Sequence, residues 1–225
     1  MVHFSGYCRL CEAQVPSRKR LSWNETILET KHFVVMPSLG ALVPGWLLIV
    51  PKNHVLSAAL LSPRMTNELV QVTDSVVQMV TETYGPTYIL EHGPALPARR
   101  VGCGVDHAHL HAVPFAGDLR KRAEAFLPTG SAFVSGSLLE AKRAVDRGED
   151  YLFIREPSGN AFVATHHNFE SQTFRMAIAT SLGMSEQYNW REYPQAQNVD
   201  ATLGRLRDFA KRQRSNRDLV RTGVA

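Results

Sequence analysis

Long apolar runs are missing from this chain of 225 residues. The longest, Trp46 to Val50, is strand-sized against the roughly 20 residues that span a bilayer, so no membrane partner is expected. The opening MVHFSGYC has no basic segment followed by an apolar one. No secretory leader is read there, and the cytoplasm is the expected compartment. Cysteine is scarce: 3 residues cannot all pair, and two stand as Cys8-Arg9-Leu10-Cys11. In a reducing compartment that spacing suits a metal or a redox pair better than a structural disulfide. Internal repeats and low-complexity linkers are absent too. Net charge is only +4. The basic residues are uneven, with Arg205, Arg207, Lys211, Arg212, Arg214, Arg217 and Arg221 near the end, either as a solvated helix face or as a patch that attracts phosphate.

What remains is an ordinary globular composition, 44% hydrophobic and 20% charged, enough for one substantial core, or one core with an appended subdomain. His32 to Met36 and Trp46 to Val50 are short apolar runs separated by Pro37, Gly40, Pro44 and Gly45, which predicts two strands joined by a loop. Ser62-Pro63 supplies a helix cap and a proline at the first helical position. Leu69, Val72, Val76, Met79 and Val80 then repeat at helical spacing until Gly85-Pro86. Thr87 to Glu91 predicts a third strand. Beyond about Pro128 the pattern predicts a helix over Leu138 to Val145, a hairpin of Tyr151 to Ile154 with Ala161 to Ala164, and helices near Ser171 to Leu182 and Val199 to Arg214. The expected organisation is α+β, with a module over 1–125 and an extension over 126–225 packed on it.

The most informative stretch is Asp106-His107-Ala108-His109-Leu110-His111-Ala112-Val113-Pro114, which holds 3 of the 9 histidines. As a strand it would put His107, His109 and His111 on one face, about 6.6 Å apart, and Ala108, Leu110 and Ala112 on the other, against a helix. Three buried imidazoles without a task would be costly. Two chemistries use them: metal ligation by neutral imidazole, and nucleophilic attack on phosphorus through a labile phosphoramidate.

His107-x-His109-x-His111-Ala112-Val113 resembles the His-φ-His-φ-His-φ-φ signature of the histidine triad superfamily of nucleotide hydrolases and transferases. Val43 to His54, with its Pro51-Lys52-Asn53-His54 end, resembles that family's strand ending in Pro-Lys-x-His. The likeness covers roughly residues 5 to 120, and it implies an antiparallel sheet carrying a long helix, with a mixed α/β extension after it. In the zinc-bearing branch, which includes galactose-1-phosphate uridylyltransferase, it also implies a structural zinc. Carried over, the ligands fall on Cys8, Cys11, His54 and His107, a closed tetrahedral set with no open position.

By the same resemblance His109 is the nucleophile on a nucleotide α-phosphate, and His111 hydrogen-bonds the phosphate or leaving group. Backbone N–H groups of Gly102-Cys103-Gly104 are expected to help, with Cys103 and Gly104 where small members of the family place Gln and Ser. Ser38 stands where purine-nucleotide-binding members carry an Asp for the ribose, and a hydroxyl makes only part of that contact. Ser171, Gln172 and Arg175 are read at a helix N-terminus, within reach of phosphate or as a polar cap. The implied partner is a nucleotide or nucleotide conjugate, with nucleic acid not expected and a homodimer as the assembly. Hydrolysis is favoured, because the uridylyltransferases carry Gln at the third triad position. Nucleotide transfer and non-catalytic nucleotide or nucleic-acid binding are the alternatives.

Overall fold

A computed structural model describes residues 8–15 and 21–207. Eight strands make one antiparallel sheet: β1 (Leu28–Glu29), β2 (Phe33–Pro37), β3 (Leu47–Pro51), β4 (Thr87–Gly93), β5 (Leu110–Pro114), β6 (Val134–Ser135), β7 (Asp150–Arg155) and β8 (Ala161–His166). Their order is β1-β2-β3-β5-β4-β7-β8-β6, so the histidine-bearing β5 lies near the centre. The α+β class and the antiparallel sheet match the sequence reading. The residues beyond 125 do more than cover the sheet: β7 pairs directly with β4, Leu90 facing Ile154.

The long helix α2 (Pro63–Tyr84) begins where the sequence predicts, with the Ser62 hydroxyl accepting from the Met65 N–H. Met65, Leu69, Val72, Val76 and Val80 fall on one stripe and are buried. They meet Phe33, Val35, Leu47, Ile49, Leu110 and Ala112 of the sheet. At roughly 1.5–3 kcal/mol per buried side chain, this stripe rather than helix propensity holds α2 in place. A charge at Val76, which is fully buried, would break it.

The opposite face carries the site. Met36, Leu48, His111, Leu90 and Ile154 are cross-strand partners in a single row over five strands. Two helices, α3 (Leu119–Glu124) and α5 (Thr173–Ser181), cover the part nearest β4 and β7 through Leu119, Phe174 and Ile178. The short α1 (Arg9–Ala13) covers the part nearest β2 and β3, with Leu10 on Val34, Met36 and Leu48. The capped α4 (Leu138–Asp146) packs on the α2 side through Ala141. A last helix runs over residues 196–207, and with the segment before it straps the 38–45 loop: Pro194 O accepts from Gly40 N, Ala41 O from the Asn198 amide, and Thr202 Oγ1 from Gly45 N.

Two expectations are corrected. The histidine stretch is not one strand, since β5 begins only at Leu110. Continued past the Ile49–Leu110 pair, the register would set Ala108 against Pro51, which has no N–H to give, and Ala108 N bonds Val55 O instead. The faces of Leu110 and Ala112 are nonetheless as predicted, towards α2. Secondly, β4 runs two residues further than read, through His92 and Gly93. Of the basic tail, Lys211 to Arg221 lie outside the described residues. Arg205 lies 5.5 Å over the Tyr84 ring, and Arg207 pairs with Glu25. Among the described residues no helix is long and apolar enough to cross a membrane.

Candidate active site and metal centre

Cys8 and Cys11 sit three residues apart at the start of α1, on one side of the helix, where Cys8 Sγ also accepts from the Cys11 N–H. His54 follows the end of β3 and His107 precedes β5. Their four ligand atoms all lie within 4.8 Å of one another. His107 Nδ1 is 3.4 Å from both sulfurs, and His54 Nδ1 is 3.4 Å from Cys11 Sγ. Tetrahedral zinc with its usual bond lengths puts sulfur and nitrogen ligands about 3.5 Å apart, so the donor set fits that ion. His107 is also oriented for the task. Its Nε2–H donates to Pro51 O at 2.9 Å, which leaves the Nδ1 lone pair directed to the cluster. Burial lowers the His107 pKa to about 4, against the pull of that hydrogen bond. Burial, then the Cys8 neighbour, raises the Cys11 thiol to about 11. A divalent cation is what would hold the two sulfurs as thiolates there.

The other two triad histidines face a different space, and their tautomers can be read from their partners. Trp46 Nε1–H, which can only donate, lies 3.0 Å from Nδ1 of His111. His111 therefore accepts at Nδ1 and carries its proton at Nε2. His109 donates Nδ1–H to His107 O at 2.7 Å, which leaves Nε2 with a free lone pair. The two rings stand 4.9 Å apart. A fourth histidine joins them: His92 in β4, 6.0 Å from the His111 ring, accepts the Phe174 N–H at Nε2, while its buried Nδ1 has no partner. All three rings are held neutral. Burial leads in each case, followed by His109 and Arg175 for His92, which falls to about 3, and by His109, His92 and Arg175 for His111. For His109 burial outweighs the hydrogen bond to His107 O, and Arg9 adds to the lowering.

These side chains line an inner pocket with Ser38, Leu39, Cys103, Arg175 and Trp190. Ser38 is buried, its hydroxyl donating to Leu39 O at 3.4 Å. Cys103 has left-handed backbone (φ 55°), and its Sγ accepts from Gln172 N while its carbonyl accepts from Arg191. Burial pushes its thiol up to about 11. The N–H groups of Gly102 and Cys103 are used in turns to Arg99 O and Arg100 O. Gly104 passes so close to Arg191 that a Cβ would lie 2.1 Å from its guanidinium. Gln172 is buried, and its side-chain oxygen accepts from Trp190 N rather than facing the pocket. The first turn of α5 gives its Phe174 N–H to His92.

Arg175 brings the pocket its charge. It donates Nε–H to Tyr188 O and an Nη2–H to Gly40 O, lies 5.1 Å over the Trp46 ring, and has no carboxylate partner among the described residues. Burial lowers its pKa only to about 10, so it stays cationic. Among the described residues no carboxylate lines the inner pocket. Sequence reasoning missed His92, because the third strand was ended at Glu91. Extending the alternation from Tyr88 and Leu90 would have placed His92 on the histidine face. Trp46 was read as plain strand, and only its pairing distance to His111 reveals its second task.

No protein-family model matches this chain, and no curated protein does. Several solved structures are similar in part. A Hit-like protein from Bartonella henselae, described as involved in cell-cycle regulation, is 17% identical over 47% of this chain and 74% of its own, with a TM-score of 0.36. A zinc-bound histidine triad family protein from Mycobacterium smegmatis is 20% identical over 49% of this chain and 77% of its own, with a TM-score of 0.39. Yeast Ap4A phosphorylase Apa2, solved with AMP, is 12% identical over 63% of this chain and 58% of its own, with a TM-score of 0.41.

Proposed function

We propose that this chain is a histidine triad enzyme that cleaves a nucleotide substrate at its α-phosphate through a covalent nucleotidyl-histidine on His109. The observation that carries the reading is the hydrogen bond from His109 Nδ1 to His107 O at 2.7 Å. It leaves Nε2 unprotonated on a neutral ring that lines a pocket containing a buried, uncompensated guanidinium. Nε2 forms a bond to phosphorus as the bond from phosphorus to the leaving-group oxygen breaks, and Arg175 offsets the charge on the phosphoryl group. His111, held as the Nε2–H tautomer by Trp46, donates to a phosphate or leaving-group oxygen. Water then attacks phosphorus, the P–N bond breaks, the nucleoside monophosphate leaves and His109 is restored.

Cys8, Cys11, His54 and His107 would hold a structural zinc. With four protein ligands the ion would supply no open position, and its contribution is to fix α1 and the His107 backbone against the sheet. That backbone includes the carbonyl on which His109 is oriented. Ser38 and Cys103 are the proposed contacts to substrate at the pocket floor. Gly104 acts through the path it leaves for Arg191, and Gln172 through Trp190 and Cys103.

The test is intact-protein mass spectrometry of wild type and His109→Ala after brief incubation with a nucleotide panel, under a quench mild enough to keep phosphoramidates. A nucleotide-sized adduct or released monophosphate only in wild type supports the reading. The same turnover in both proteins would sink it. Adding inorganic phosphate to the reaction reports whether water or phosphate resolves the intermediate, which separates hydrolysis from transfer.

A further inference from the structure

One peptide unit ties the triad to a stretch of chain that belongs to no strand. The His107 carbonyl accepts from His109 Nδ1–H at 2.7 Å, and the N–H at the other end of the same peptide bond, that of Ala108, donates to Val55 O, also at 2.7 Å. The unit is planar, so the direction of its N–H fixes the direction of its carbonyl, and with it the ring of His109. Val55 lies between the end of β3 at Pro51 and the start of α2 at Pro63, where the backbone has no ladder to hold it.

Two side chains of the sheet grip that stretch instead. Glu91 Oε1 accepts from Ala58 N at 2.7 Å. Tyr151 Oη accepts from Ala59 N at 3.2 Å and donates its own proton to Glu91 Oε2 at 2.5 Å. The candidate metal ligand His54 precedes Val55, so the stretch is held on one side by His54 and on the other by Glu91 and Tyr151. The grip comes from the α2 face of the sheet, where Tyr151 packs, whereas His92, the next residue of β4, lines the inner pocket on the opposite face.

The grip is a poor choice for packing alone. Glu91 is 1% exposed and Tyr151 is fully buried, and an apolar side chain would fill the space of a buried acid at lower cost. What the acid adds is direction, since its two oxygens meet one backbone donor and the phenol that meets the next. The sheet also makes room for the phenol. A Cβ at Gly93 would lie 2.1 Å from the Tyr151 ring, so the ring reaches Glu91 only across a glycine.

We infer that Glu91 and Tyr151 are positioning residues for the nucleophile: from the far face of the sheet they fix the Val55 carbonyl, and through the His107–Ala108 peptide the orientation of His109. Neither touches substrate. The consequence for catalysis rests on the attack by His109 proposed above, and the orientation of the peptide does not.

Amide hydrogen exchange, with proton–nitrogen correlation spectra of the His109 ring, tests this on the metal-loaded full chain in Glu91→Leu, Glu91→Gln and Tyr151→Phe. In Glu91→Leu the Ala108 amide should exchange about tenfold faster relative to that of Val76 in α2, and His109 should lose its single Nδ1–H tautomer. Tyr151→Phe keeps the ring but leaves Ala59 N without its acceptor, and should act in the same direction by about threefold. Glu91→Gln keeps an acceptor for Ala58 N and should restore both readouts to near wild type. On a nucleotide that wild type turns over, kcat should fall about tenfold in Glu91→Leu while KM changes less than about twofold, because the pocket wall is untouched. The spectra need no turnover, so a failed covalent mechanism and a failed positioning role give different results. An Ala108 amide and a His109 tautomer unmoved in Tyr151→Phe, or exchange that rises equally at Val76 and Ala108, would overturn the proposal. Should Glu91→Leu not fold, Tyr151→Phe against wild type carries the same comparison.

Discussion

Trp46 and His111 stand 3.0 Å apart, indole nitrogen to imidazole Nδ1, so the residue that leads into β3 sets the proton position of a residue near the start of β5. Trp46→Phe keeps most of the apolar body and removes the donor. The loss of about one neutral hydrogen bond should lower kcat/KM by roughly five- to tenfold. Proton–nitrogen correlation spectra of the His111 ring check the cause: Nε2–H alone in wild type, a tautomer mixture in the variant. An unchanged ring spectrum would show that Trp46 is only packing.

Metal content should be one zinc per chain, by elemental analysis of protein prepared without added chelator. Cys11→Ala removes a ligand that lies 3.4 Å from both histidine nitrogens. It should abolish retention of the ion and cost on the order of 3 kcal/mol, a fall in Tm of roughly 6–12 °C. Full stability with no bound metal would refute the staple.

Glu91 gives a pH signature away from the candidate metal centre. It is buried and accepts from Tyr151 Oη–H at 2.5 Å and Ala58 N–H at 2.7 Å, yet burial outweighs both and raises its pKa from 4.5 to about 7. The folded state therefore holds this proton where the unfolded state has lost it. Its contribution is full below pH 4.5 and declines as pH rises towards 7, at about 1.4 kcal/mol per pH unit and at most about 3 kcal/mol in all. Denaturant titrations of wild type and Glu91→Gln across that window should diverge, with the variant curve flatter.

Gly40 and Gly159 separate backbone strain from crowding. Both have positive φ, +76° and +91°, but a Cβ at Gly40 would strike Trp190 at 2.5 Å, whereas at Gly159 nothing lies within 4 Å. Alanine at either position should cost about 1 kcal/mol for the backbone. At Gly40 a further 1–3 kcal/mol is expected from displacing Trp190. Thermal melts of the two variants give the comparison.

Much of the fold was legible because it rests on local signals. Ser62-Pro63 and Gly85 bound α2, and short continuous apolar runs mark β2, β3 and β7. The four-residue cluster was legible too, since Cys8, Cys11, His54 and His107 sit in short motifs. Contacts between distant segments were hidden. Arg175 reaches Gly40 across 135 positions of sequence, and Arg191 reaches Cys103 across 88. The strand through His107 and His109 failed for a different reason. Alternation describes side-chain direction well, but ladder formation also needs a partner with an N–H, and Pro51 has none.

The sheet ends at β1 and β6, each two residues long. Among the described residues these short strands cover β2 and β8 over only two positions each, which leaves Ala164 to His166 of β8 as the longest uncovered stretch of the border at β6. At that border strand addition, the route by which concentrated antiparallel sheets turn into fibrils, finds a template of only about three residues among those described.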